Sequence, residues 1–237
     1  MTQRAVDKPV EKVDNSSNHR KASAVLGVFA KEPIAGQVKT RLCPPLQPEQ
    51  AAQLYRTALA ETLQRFSARL FDLIIFYAGD EDYFSDNYPQ LQRQSQVGEN
   101  LGERLSNALR GLFLTGYRQA VLIGSDSPDL PLALVEQAFS ALEGSDVVIA
   151  PAADGGYVLI GESSHHPQLF EAMPWSRADL MQQTKRVLAE QRLGWLQLPA
   201  WEDVDDAASL LRLLQRSPES LTASHIREHL APLLTEA

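Results

Sequence analysis

Short, unbroken apolar runs separated by longer amphipathic stretches constrain this chain most. The runs are AVLGVF at 24–29, DLIIFYA at 72–78, AVLIG at 120–124, DVVIA at 146–150 and YVLIG at 157–161, with GWLQL at 194–198 a weaker sixth. An apolar run without polar alternation suits a strand covered on both faces. Between the runs lie helix patterns. PEQAAQLYRTALAETLQRFSARL begins at Pro48, a favourable first helical residue. It sets Ala51, Leu54, Tyr55, Ala58, Leu59, Leu63 and Phe66 at helical spacing, as core positions. Further helices are expected at about 101–114, from Pro131 to a stop at Gly144, at about 178–191, and once or twice beyond Asp206. Alternating strands and helices predict an α/β fold, a three-layer α/β/α sandwich around a mostly parallel sheet. Ligands of such sheets sit at the carboxyl ends of the strands, which points to the loops after residues 29, 124, 150 and 161.

The chain has 237 residues, 44% of them hydrophobic, enough for a full core and for one domain over 23–237. Residues 1–22 lack periodicity and an apolar stretch; they read as a disordered tail and not as a signal peptide. The formal net charge of -8 argues against general nucleic-acid or membrane-surface binding. One cysteine, Cys43, excludes an internal disulfide and a multi-cysteine zinc site, and fits a reducing cytoplasm. No segment approaches the length of a membrane span.

Three loops carry chemistry. The first, KEPIAGQVKTRL, kinks at Pro33, bends at Gly36 and carries Lys31, Lys39 and Arg41. A flexible turn with clustered cations suits a phosphate or diphosphate, and an ordinary solvated loop is the alternative. The glycine spacing is not that of a P-loop, and no G-x-G-x-x-G occurs. The second, GSDSPDLP, puts Asp126 just past a buried strand, where a carboxylate can hold Mg2+ or Mn2+ against phosphate oxygens. Ser127 and Asp129 ahead of Pro131 read as a helix N-terminus, so Asp129 is the more structural of the two aspartates. The third, PAADGGYVLIG, sets Asp154 before Gly155 and Gly156, a tight turn that also lets a ligand approach the backbone. Other signals read as structural: HIREH at 225–229 has inverted-zincin spacing but no further ligand, His165 and His166 suit a solvated loop or a completed metal site, and Cys43 lacks a catalytic partner.

FAKEPIAGQVKTRL, ENLGERL, LIGSDSPDLP, PAADGGYVLIGE, MPWS and WEDVDDAASL occur in that order. Together they resemble the bacterial GT-A-type glycosyltransferase-like family, some members of which are named arsenosugar biosynthesis glycosyltransferases, over about residues 24–214. That family is in turn similar to 2-phospholactate guanylyltransferase and the molybdenum-cofactor guanylyltransferase, within the nucleotide-diphospho-sugar transferase fold. The resemblance implies that Lys31, Gly36, Lys39 and Arg41 hold nucleotide phosphates, with Glu103, Arg104 and Asn107 near the base or ribose. It implies Asp126 as a ligand of Mg2+ or Mn2+, and Asp203 and Asp205 as the late Asp-x-Asp element that supplies a second ligand, taken as Asp205. Asp154 and Asp203 are the candidates for a general base. Gly155, Gly156 and Tyr157 would face the sugar or acceptor, and Trp175 either stacks on the ligand or packs. Where some relatives carry threonine and proline after the late aspartates, this chain has Asp206 and Ala207.

Two reactions fit these residues. One is sugar transfer from a nucleotide-diphospho-sugar to a small-molecule acceptor; the other is nucleotidyl transfer from a nucleoside triphosphate with release of pyrophosphate. A nucleotide-binding protein without turnover is the third reading. Base preference, acceptor and oligomeric state, a homodimer among the options, stay open.

Overall fold

The computed structural model describes residues 23–67, 69–175, 177–230 and 233; the tail expected at 1–22 lies outside them. In chain order the elements are β1 (Ala24–Lys31), α1 (Pro48–Phe66), β2 (Asp72–Ala78), α2 (Glu81–Asn87), β3 (Gln92–Ser95), α3 (Leu101–Leu114), β4 (Gln119–Gly124), α4 (Leu132–Ala141), β5 (Val147–Pro151), β6 (Tyr157–Glu162), α5 (Leu180–Glu190), β7 (Trp195–Gln197), α6 (Ala207–Arg216) and α7 (Leu221–His229). All six apolar runs are strands. Two elements were not expected. Helix α2 is started by Asp80, whose side chain accepts from the Asp82 amide. Strand β3, QRQS, has no apolar residue and exists because it pairs with β2 at the sheet edge.

The seven strands form one sheet in the order β3-β2-β1-β4-β6-β5-β7. Strands β1 to β4 run parallel; β6 runs antiparallel to both of its neighbours, β4 and β5. This reversal corrects one expectation. Because Glu162 sits opposite Ala120 at the start of β4 and Leu159 opposite Ile123 near its end, the loop after β6 emerges at the edge away from Asp126. It is the beginning of β6, the Asp154–Tyr157 turn, that reaches the carboxyl edge.

Side-chain alternation along the strands feeds two cores. Leu26, Val28 and Ala30 of β1 pack with Tyr55, Leu59 and Leu63 of α1 and Val135 of α4 on one face. Val25 of β1, Ile74 and Phe76 of β2 and Leu122 of β4 pack with Leu105, Leu109 and Leu112 of α3 and Leu188 of α5 on the other. Gly27 lies on this second face, where a Cβ would press on Leu122 and Phe76; glycine here admits the large neighbours. Three layers result.

A third apolar cluster bears directly on function. Leu42 and Leu46 from the first loop, Ala51 and Leu54 of α1, Val204, Leu210 and Leu213 around α6, and Ile226 of α7 bury one another. Two segments distant in sequence, the basic loop and the late acidic loop, are thereby fixed side by side.

Ser127 and Asp129 do not cap α4, whose entry is Pro131 without a side-chain bond. Buried Asp129 instead takes a two-pronged contact from Arg216, with Nε to Oδ2 at 2.6 Å and Nη2 to Oδ1 at 2.9 Å, and a hydrogen bond from Ser217 at 2.8 Å. It ties the loop after β4 to the end of α6. Removing one partner of a buried ion pair strands the other. Asp129→Ala is expected to lower the unfolding free energy by about 3–5 kcal/mol, read from urea denaturation; a wild-type midpoint would refute this role.

Candidate functional site

A cleft of about 590 Å³ opens at the carboxyl ends of β1 and β4, in the size range of small-molecule sites. Its walls bring together Lys31, Lys39, Arg41, Arg104, Asp126, Asp154, Gly156, Tyr157, Trp175, Asp203 and Asp205, from segments spread along the whole chain.

Each is delivered by an identifiable element. Asp126 follows β4, and its backbone carbonyl accepts from the Val204 amide at 2.8 Å, which pulls the late acidic loop against it. Asp203 and Asp205 flank Val204, which is buried in the third cluster, so both acidic side chains turn away from the apolar contact. Asp206 caps α6 by accepting from the Ser209 amide at 2.7 Å; that is the local work of the residue that differs from some relatives. Tyr55 of α1, expected only as a core residue, also contacts the cleft. Its hydroxyl accepts from the Lys31 amide at 2.9 Å and shares a 2.6 Å hydrogen bond with Ser125. Burial pushes its pKa up to about 12.

The charge arrangement differs from the expected one at Lys39. Its Nζ pairs with Asp126 Oδ1, contacts Asp205 Oδ1 at 3.1 Å and donates to the Val204 carbonyl at 2.7 Å. An ammonium has three donors, and all three of Lys39's are engaged here. Burial alone would lower its pKa, but the Asp126 carboxylate and then Asp205 outweigh it and hold it above the ordinary value. Desolvation by the surrounding protein works against ionised Asp126 even though its side chain keeps 47% of its surface open, and Lys39 overcomes it, keeping that carboxyl low. Asp203 has the opposite fate. Burial, reinforced by Asp126 and Asp205, raises it to about 6 despite a 2.5 Å hydrogen bond from Ser127. Arg41 is exposed, with Nη1 3.6 Å from Asp205 Oδ2.

Other expected residues separate into those at the cleft and those behind it. Arg104 lines it while donating through Nε to the Gly98 carbonyl at 3.0 Å. Glu103 does not: its carboxylate accepts from the Glu99 amide and from Asn100 Nδ2, both at 2.8 Å, and so organises the start of α3. Asn107 donates to the Val97 carbonyl at 2.9 Å, again outside the lining. Gly36, at φ 77°, supplies the bend of the first loop and is not part of the wall. Gly155, at φ 92°, lies behind the wall against Ala178, and its carbonyl accepts from Met181 at 2.9 Å. Asp154 holds the same turn by accepting from the Gly156 amide at 3.0 Å. Trp175 meets Tyr157 edge-to-face at 6.2 Å and stacks on Phe170 at 6.5 Å; it packs and lines the cleft at once. Gln96 and Arg177 also line the cleft and were missed, since a lone polar residue after a polar strand and a loop arginine carry no distinctive pattern.

The described histidines lie elsewhere. His165 Nδ1 is 3.1 Å from buried Glu162 Oε2 at the opposite edge, and the His225 and His229 rings on α7 meet at a tilt with centroids 4.8 Å apart. Among the described residues no three histidine, cysteine, aspartate or glutamate side chains are already spaced to enclose a metal ion. The hard oxygens of Asp126 and Asp205, aligned by one ammonium, nevertheless suit a divalent cation completed by phosphate oxygens and water. A second hollow of about 630 Å³, between the end of α1 and the α6–α7 turn, contains Arg65 and Arg216, which are already paired with Glu61, Asp129 and Glu202.

Comparison with known proteins places the fold. Residues 59–177 match the family described as an uncharacterized protein conserved in bacteria, DUF2064. A crystal structure from Desulfovibrio desulfuricans G20, provisionally named a nucleotide-diphospho-sugar transferase, is 37% identical; the match covers 91% of this chain and 98% of that one, with a TM-score of 0.84. The Rv0371c homologue of Mycobacterium sp. strain JC1 shares the fold at 20% identity (88% and 100% covered, TM-score 0.55). So does a cytidylyltransferase of Leptospira borgpetersenii serovar Hardjo-bovis, at 12% identity (91% and 98% covered, TM-score 0.51). No curated protein matches the chain. No helix among the described residues is long and apolar enough to cross a membrane. The chain belongs to the DUF2064 family and carries the nucleotide-diphospho-sugar transferase fold.

Proposed function

We propose that this chain is a cytoplasmic, metal-dependent transferase that takes a sugar from a nucleotide-diphospho-sugar and passes it to a small-molecule acceptor. The observation that carries this reading is the meeting of Asp126, Asp203 and Asp205 with Lys31 and Arg41 in one cleft at the carboxyl edge of the sheet. A diphosphate brings several negative charges, and an acidic chain binds it only where cations are concentrated. Lys31 and Arg41 stand exposed at the mouth and supply that side. Asp126 and Asp205 would hold Mg2+ or Mn2+, whose chemistry would be to neutralise the diphosphate as it leaves. Tyr157, Gly156 and Trp175 form the wall for sugar and acceptor, with the aromatic faces excluding water. Asp203 takes the acceptor proton: Ser127 orients it, and a carboxyl near 6 is matched to neutral operation. Asp154 at the outer rim is the second candidate for that role.

Nucleotidyl transfer is the competing chemistry, since the fold is shared with a cytidylyltransferase. Incubation with candidate nucleotide-sugars and nucleoside triphosphates separates the two: free nucleoside diphosphate supports sugar transfer, inorganic pyrophosphate supports nucleotidyl transfer. A folded Asp126→Ala variant with undiminished turnover or metal-dependent nucleotide binding would refute the site itself. Lys31→Ala and Arg41→Ala are each expected to weaken nucleotide binding by about 1–3 kcal/mol in calorimetry, the range of charge-assisted hydrogen bonds; unchanged affinity in both would remove the phosphate assignment.

The raised Asp203 carboxyl makes a separate prediction for the ligand-free protein. Its folded pKa is about 6 against an ordinary 3.8, so between these values the folded state binds the extra proton. Stability therefore declines as pH rises through this window and levels off above it. Asp203→Asn removes that loss. The variant is expected to be more stable than wild type by about 1–3 kcal/mol above pH 7, with the gap closing toward pH 4, in denaturant titrations run across the range.

A further inference from the structure

Lys39 occupies a position that a phosphate ligand would not. Its backbone adopts φ 48°, which turns a non-glycine residue into the left-handed region at the start of the short turn Thr40–Leu42. The side chain is 5% exposed, whereas those of Asp126 and Asp205 are 47% and 39% exposed. The ammonium thus lies beneath the two carboxylates, which retain open surface toward the cleft. Its three N–H donors end on Asp126, Asp205 and the Val204 carbonyl.

The acidic loops do not depend on this ammonium for their position. Val204 donates its amide to the Asp126 carbonyl at 2.8 Å and is itself buried in the third cluster. Ser127 holds Asp203 at 2.5 Å, and Ser209 accepts from the amides of Asp205 and Asp206 at 2.9 Å each. What the lysine adds is a fixed positive charge directly behind the carboxylates. It relieves their mutual repulsion, and it repels any second cation that approaches from the front.

We infer that Lys39 is a positioning residue, a tethered resident cation that aligns Asp126 and Asp205 while keeping their affinity for a free divalent ion low, so that the ion is held firmly only together with a nucleotide diphosphate. This rests on the proposed role of Asp126 and Asp205 as ligands of that ion. A lysine that bound phosphate directly would not hold free metal off, and a purely structural lysine would not discriminate between free metal and metal nucleotide.

The test is a Mn2+ titration of the full chain followed by electron paramagnetic resonance, with Mn2+ alone and with Mn2+ plus saturating UDP or GDP. Wild type, Lys39→Met, Lys39→Gln and Lys39→Arg are compared, with Asp126→Asn as the control that loses the ion. Wild type is expected to bind Mn2+ weakly alone and at least tenfold more tightly with nucleotide. Both charge-free variants are expected to bind Mn2+ alone at least tenfold more tightly than wild type, while Lys39→Arg, which restores the charge, stays within about twofold of it. Free-ion affinity equal to or below wild type in Lys39→Met and Lys39→Gln would overturn the inference and leave the metal-nucleotide reading standing. So would failure of both to fold where Lys39→Arg folds. Wild type that takes no Mn2+ even beside nucleotide would instead overturn the ligand roles of Asp126 and Asp205, and the inference with them.

Discussion

The contact between the Lys39 ammonium and the carboxylates of Asp126 and Asp205 joins parts of the chain that nothing else in the primary sequence relates. Lys39 belongs to the loop after the first strand, Asp126 to the loop after the fourth, and Asp205 to the segment before α6. Such a contact is stable only where its members arrive already placed, because an exposed ion pair is worth little and a buried one needs matched partners. Here the placement comes from apolar burial one layer down. Leu42, three residues after Lys39, and Val204, the neighbour of Asp205, are in the same cluster with α1 and α6. Hydrophobic contact sets the distance, and the charges then find one another at it.

Sheet topology explains why this happens at one edge. Parallel strands release their loops on the same side, so β1 and β4, adjacent in the sheet, put the basic loop and Asp126 side by side. The reversed strand β6 reaches the same edge by its beginning rather than its end. The tight Asp154–Gly156 turn closes the β5–β6 hairpin and supplies the opposite wall. The cleft is therefore built from two different kinds of connection, a strand-to-helix loop and a hairpin turn, and the aromatic pair Tyr157 and Trp175 stands on the hairpin side.

Most of this architecture is legible in the sequence because burial on both faces leaves a plain signal. Continuous apolar runs mark every strand except β3, whose QRQS is stabilised by pairing with β2 and carries no hydrophobic trace. Helix α2 spans only Glu81–Asn87 and buries Phe84 alone, too little for a periodic apolar signal. Strand direction is invisible to such patterns: YVLIG reads alike whichever way it runs, and the loop after Gly161 was placed at the wrong edge in consequence. In the site, residue type and loop membership single out Asp126, Asp203, Asp205, Lys31 and Arg41, and all five line the cleft. The side chains of Glu103 and Asn107 point instead to backbone groups beside α3, and that choice depends on which amides and carbonyls are left unpaired nearby. The ion pairs of Lys39 with Asp126 and Asp205 are invisible in the sequence on the same ground. A basic residue in a loop looks solvated until the carboxylates that enclose it are known.

The separation of cations into two kinds bears on how an acidic protein handles an anionic ligand. A buried, saturated ammonium offers no open hydrogen bond to a phosphate, and its charge acts first on the two carboxylates it touches. Lys31 and Arg41 are exposed, Arg41 with Nη1 3.6 Å from Asp205 Oδ2, and on the proposed function they would follow a ligand as it settles. On the proposed function, attraction over distance and grip at contact would reside in the rim, while the interior cation would set the geometry and charge of the acidic floor. If the floor were left without its lysine, three neighbouring carboxylates would repel the diphosphate and one another. If the rim were buried in the same way, the cleft would be rigid and neutral, with nothing to draw a phosphate in. The division places both signs of charge within a few ångströms of one another, an arrangement that the proposed recognition of a metal–diphosphate pair would use.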